Sequence, residues 1–160
     1  MGGIVYKDWG KIIWARTITP RHAPTAWFFM HQRLPVKCRL ARFSSQNAGL
    51  ECALCEAEEE DFDHLFFWCM WAKEYWLAIK QWWPTTIDTS STRDFMHTLL
   101  HLKGPKREKI VTYAIYVAGI YQIWRTRNEM IFAQHLYQYR LSSSSPNAIL
   151  YRGSLHSIES

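Results

Sequence analysis

Apolar and polar positions alternate along most of this chain with the period of a helix. In "YKDWGKIIWA" the apolar positions Trp9, Ile12 and Ile13, with Tyr6 one turn earlier, share one face. "TITPRHAP" interrupts that pattern. A second helix is expected from about Pro24, since proline suits a first helical turn, to about Arg33, carrying Trp27, Phe28 and Met30. Pro35 opens a third, "PVKCRLARF", with Val36, Leu40 and Phe43 as its buried stripe and Lys37, Arg39 and Arg42 outward. "SSQNAGLE" reads as a loop. In "DFDHLFF", Asp61 or Asp63 is placed to cap a short helix.

The second half repeats the signal. "AKEYWLAIKQWW" is amphipathic and stops at Pro84; "TTIDTSS" is a linker. "STRDFMHTLLHL" starts with Ser91 three residues before Asp94, close to a capping box, and Gly104 ends it. Pro105 opens the longest helix, to about Gln134. Its uncharged run, Ile110 to Trp124, is shorter than the roughly 20 residues a membrane span needs. A buried core helix is the expectation, and no membrane partner. Strand signals are weak; at most a short hairpin holds the cysteines. The Ser-rich end carries no apolar period and reads as a disordered tail. The expected organisation is 1–84 as one domain, 85–135 as a helical extension packed on it and 136–160 as the tail. The expected fold class is mainly α: a small helical domain organised around the stretch that holds three of the four cysteines, with a long C-terminal helix and a disordered tail.

Composition changes this picture little. The 160 residues are 48% hydrophobic and 16% aromatic, with nine Trp, enough for a real core. Four cysteines are too few for a disulfide scaffold. "MGGIVYKDWG" has no apolar leader. The expected location is intracellular, the nucleus among the compartments open to it.

Charge changes it more. The formal net charge is +5, and no acid lies between Asp8 and Glu51. That interval carries Lys11, Arg16, Arg21, Arg33, Lys37, Arg39 and Arg42, the footprint a polyanion would need. The bland alternative is a solvated basic face. Acids cluster instead at Glu56, Glu58, Glu59, Glu60, Asp61 and Asp63. Glu58, Glu59 and Glu60 are expected to form a solvated loop that opposes phosphate and takes no part in holding a metal.

The chemistry-bearing stretch is "CALCEAEEEDFDHLFFWC", with the spacing Cys52-x2-Cys55-x8-His64-x4-Cys69. A Cys-x2-Cys turn brings two thiolates to one point. A His and a Cys separated by four residues share a metal if a helical turn lies between them. Three thiolates and one imidazole fill a tetrahedral Zn2+ shell and leave no open position, so the site would be structural. The competing reading is a set of buried thiols acting as small hydrophobes. Cys38 is the leftover, expected as a core thiol; His31 and Cys38 are substitute ligands of lower rank. Trp82 and Trp83 are weighed as stacking platforms and favoured as core. Arg125 and Arg127, in "WRTRN", read as favourable charge at a helix C-terminus before phosphate contacts. No nucleophile elbow, Gly-rich phosphate loop or paired acid–base motif is present in the sequence, so no enzyme activity is expected.

"TPRHAPTAWFFMHQRLPVKCRLARF", followed by "CALCEAEEEDFDHLFFWC" and "AKEYW", resembles the zinc-binding domain downstream of the reverse transcriptase in plant LINE-type (non-LTR) retrotransposon polyproteins. "AGIYQIWRTRNEMIF" resembles the segment after it, so the likeness spans residues 9–134. The ligand pattern carries over to Cys52, Cys55, His64 and Cys69. Val36 departs from it, since Thr is usual after "RLP". No polymerase Tyr-x-Asp-Asp motif occurs in the sequence. The resemblance implies a non-catalytic module that binds Zn2+ and helps hold RNA or DNA; charge placement puts that contact, with weak sequence selectivity, at Arg33, Lys37, Arg39 and Arg42. The alternatives are a module that packs on a reverse transcriptase domain, or a retroelement relic without function.

Overall fold

The structure is a computed structural model that describes residues 6–43 and 49–143; side chains are described for residues 9–43 and 49–137. Helices α1 (Tyr6–Ile13), α2 (Ala23–Met30) and α3 (Lys37–Ala41) are followed by a π-helical turn (His64–Trp68). Then come α4 (Met70–Trp82), α5 (Thr92–Leu100) and α6 (Lys106–Ser143). The expected tail lies mostly outside the described residues, and α6 continues past its expected end at Gln134. The one extended pairing among the described residues is an antiparallel bridge between Glu51 and Glu59, a minimal form of the expected hairpin.

The helices form where their apolar faces meet. α1 buries Trp9, Ile12 and Ile13, as its period requires. α2 buries Ala23, Ala26, Phe29 and Met30, while Phe28 is 47% exposed. Phe29 then becomes the hub of the aromatic core, with ring centroids 4.8 Å from Phe66 and 5.7 Å from Phe95, both edge-on. α3 departs furthest. It buries only Val36 at its start, whereas Leu40 and Phe43 are 49% and 85% exposed. Five residues are too short to sustain a stripe, and its start is held instead by Glu60, whose carboxylate accepts from the Lys37 N–H and whose carbonyl accepts from the Cys38 N–H.

α6 crosses the others through its expected uncharged run. Thr112, Tyr116, Val117, Ile120 and Ile123 are buried. Tyr116 stacks on Trp76 at 5.3 Å, and Tyr116 shares a hydrogen bond of 2.7 Å with Thr85. Gly119 makes the approach possible: a Cβ there would lie 2.6 Å from Cη2 of Trp76. Two polar devices hold α5. Ser91 caps it by accepting from the Asp94 N–H at 3.1 Å, and the Asp63 carboxylate takes both the backbone N–H (2.8 Å) and the hydroxyl of Thr92. Gly104, at φ +120°, turns the chain from α5 into α6. No helix among the described residues is long and apolar enough to cross a membrane.

Candidate metal centre

Cys52, Cys55, His64 and Cys69 each present one donor atom, and all four donors lie within 4.8 Å of one another. Cys52 and Cys69 are fully buried, His64 is 3% exposed, and Cys55 is half-buried. Two local structures aim them. The first is the Cys-x2-Cys turn, closed by the Glu56 N–H on the Cys52 carbonyl at 2.8 Å; there the Leu54 N–H points at Cys52 Sγ, 3.5 Å away. Glu56 takes a left-handed φ of +54° to leave this turn, which costs a non-glycine residue roughly 1–2 kcal/mol.

The second is the π-helical turn. In an α-helix, residues five apart point about 140° away from each other. Here the Cys69 N–H donates to the His64 carbonyl at 2.7 Å, an i to i+5 bond that widens the turn. The extra residue brings His64 and Cys69 to one side. Asp61 starts the turn by accepting from the His64 N–H at 2.7 Å, which selects it over Asp63 as the cap.

The donor set fits a tetrahedral ion. Bonds of about 2.3 Å to sulfur and 2.0 Å to nitrogen place ligand atoms about 3.5–3.8 Å apart. Cys52 Sγ is 4.0 Å from Cys69 Sγ, and Cys55 Sγ is 3.3 Å from His64 Nε2. Without a metal, the hydrogen bond to Cys69, then burial, pushes the Cys52 thiol far up. The same bond, and then the N–H groups of Ala72 and Trp71 at the start of α4, hold Cys69 below the ordinary thiol range against its burial.

Residues 3–76 match the family described as zinc-binding in reverse transcriptase. The match supports a zinc-binding domain associated with reverse transcriptase over this segment. No curated protein and no solved structure matches the chain. The substitute ligands are set aside by geometry. Cys38 is half-buried, outside the cluster, with its thiol raised by burial and then by Glu59, Asp61 and Glu60. The His31 ring lies against Trp27, with centroids 4.3 Å apart.

The acidic loop is not the bystander its composition suggests. Glu58, 73% exposed, lies 3.2 Å from His64 Nδ1. That contact puts the proton on Nδ1 and leaves Nε2 free to bind metal, the usual task of a carboxylate behind a ligating histidine. Glu60 is fully buried. Its carboxylate accepts from the Ala53 N–H inside the zinc-binding turn (3.3 Å), the Lys37 N–H at the start of α3 (3.0 Å), and Arg127 on α6 (2.6 Å). Of the three glutamates expected in a solvated loop, Glu58 and Glu59 are exposed and Glu60 is buried. Arg127 is neither at a helix end nor at a phosphate: α6 runs on past it, and it is 6% exposed. Arg125 pairs with Glu129 one turn along, at 2.7 Å. A run of glutamates carries no sign of which member faces inward, so sequence reasoning missed Glu58 and Glu60. The hint was an unpaired arginine within an apolar helix.

Of the four basic residues expected to touch nucleic acid, Arg33, Arg39 and Arg42 are exposed and Lys37 is half-buried. They lie on one segment around α3. The Lys37 ammonium donates to the Glu51 carbonyl at 2.7 Å, and Arg39 donates to the Gln32 carbonyl at 2.5 Å. Neutral carbonyls orient these heads without cancelling their charge. Trp82 is 73% exposed, and Trp83 donates to Thr112 Oγ1 at 3.0 Å.

Proposed function

We propose that this protein is a non-catalytic nucleic-acid-binding module from a LINE-type polyprotein of plant origin, in which a structural Zn2+ holds a basic surface in place. The observation that carries the reading is Glu60: one carboxylate bonds both the metal-binding turn at Ala53 and the first N–H of the basic helix α3 at Lys37. The ion's role is to fix Cys52, Cys55, His64 and Cys69, and with them the platform from which Arg33, Lys37, Arg39 and Arg42 project. A full Cys3His shell leaves no position for substrate, which argues for structure over catalysis.

A titration with RNA, single-stranded DNA and duplex DNA at two salt concentrations tests the reading. Replacing Arg33, Lys37, Arg39 and Arg42 with Gln should weaken binding and flatten the salt slope by roughly 0.7–0.9 per lost phosphate contact. Unchanged affinity and slope would refute it. One observation favours a second reading. Leu40 and Phe43 are exposed among these cations, a mixture that suits packing on a reverse transcriptase domain. Binding to a purified polymerase, abolished by Phe43→Ser, would support that instead.

A further inference from the structure

A run of aromatic rings, open at Trp14 and half-buried at Trp27 and His31, crosses from α1 to α2. Trp14 stands just past α1, its N–H on the Gly10 carbonyl at 3.0 Å, and it is 61% exposed. Its ring centroid lies 6.4 Å from that of the half-buried Trp27. Trp27 and His31, one turn apart on α2, continue the row at 4.3 Å. Cations stand at both ends. Lys11, exposed, is one turn before Trp14, and Arg16 is exposed just beyond it. At the other end Arg33 is exposed, and Arg39 reaches back to the carbonyl of Gln32, next to His31. No carboxylate belongs to residues 9–50. Arg39 and Arg42 also share a groove with Asp61 and Asp63, which weakens the pull on phosphate at this end of the row.

We propose that Trp14, Trp27 and His31 form a base-stacking surface for single-stranded nucleic acid, its backbone tracked by Lys11 and Arg16 at one end and Arg33 and Arg39 at the other. This rests on the nucleic-acid reading above and deepens it. A duplex hides the faces of its bases; unpaired bases offer them, and aromatic faces between cations are the chemistry that binds single strands without sequence preference. Trp14 meets the partner first, because it is the most open of the three rings.

The test uses the zinc-loaded full chain with a fluorescent single-stranded DNA, an RNA of the same sequence, and the corresponding duplex, at two salt concentrations. Trp14→Ala should weaken both single strands by roughly tenfold or more and leave the duplex and the salt slope unchanged, since no charge is altered. Trp14→Phe, which keeps a ring, should recover most of the loss, and thermal melts should confirm that both variants fold. Arg33→Gln with Arg39→Gln should flatten the salt slope. If Trp14→Ala binds single strands like the parent while the arginine pair still matters, the stacking surface is wrong and the nucleic-acid reading stands. Equal loss on duplex and single strand also overturns stacking. No binding by the parent chain overturns both.

Discussion

Arg127 Nη2 lies 2.6 Å from Glu60 Oε1 in the protein interior, although 67 residues separate them. The guanidinium also bonds Glu60 through Nε at 3.1 Å and reaches the Pro35 carbonyl at 3.3 Å. Trp124 lies under it, with the ring centroid 4.8 Å from Arg127 Cζ. Helix α6, beyond the residues matched by the zinc-binding family, is thereby joined to the turn that holds two metal ligands.

That pair should be expensive to break from one side. Arg127→Met leaves a buried carboxylate with no cation, and should cost about 3–5 kcal/mol in urea unfolding. Adding Glu60→Gln should recover part of the loss, because no buried charge is then left unpaired; its one oxygen can accept from only one of the Ala53 and Lys37 N–H groups, so the recovery is incomplete. No recovery would show that Arg127 acts through packing alone.

Gly119 offers a test with an inverted sign. In an open helix, Gly→Ala stabilises by roughly 0.5–1 kcal/mol. Here the new methyl would meet Trp76, so Gly119→Ala should destabilise, by about 1–3 kcal/mol, as overpacking does. A raised thermal midpoint would show that α6 does not approach α4 this closely.

Metal content should be about one Zn2+ per chain, and chelation should unfold at least residues 49–72, since the binding energy of such a site is folding energy. Alkylation followed by mass spectrometry gives the residue-level check. In the zinc-loaded protein none of the four cysteines should react quickly: three are ligands, and the Cys38 thiol is raised by burial. After chelation Cys52, Cys55 and Cys69 should label. Labelling of any of these three in the zinc-loaded protein would remove it from the ligand set.

Glu58→Gln should leave the fold intact and lower zinc affinity by about 10- to 100-fold, as loss of a carboxylate behind a ligating histidine does. Glu59→Gln, on the neighbouring exposed residue, is the control. A competition titration with a zinc chelator distinguishes them, and equal affinities would assign Glu58 to solvent.

The sequence alone determined the helices with strong periodic faces, α1, α4, α5 and the core of α6, because each buries an apolar stripe whatever its neighbours are. It determined the ligand set as well: Cys52, Cys55, His64 and Cys69 lie close enough along the chain for local turns to gather them. Tertiary structure decided what local pattern cannot encode. Phe29 rather than Phe28 faces inward, because the rings of Phe66 and Phe95 lie on that side. Leu40 and Phe43 stay exposed because no element among the described residues covers the end of α3. Glu60 is buried among its acidic neighbours because its counter-ion comes from α6, and pairing across such a separation depends on where a distant helix docks.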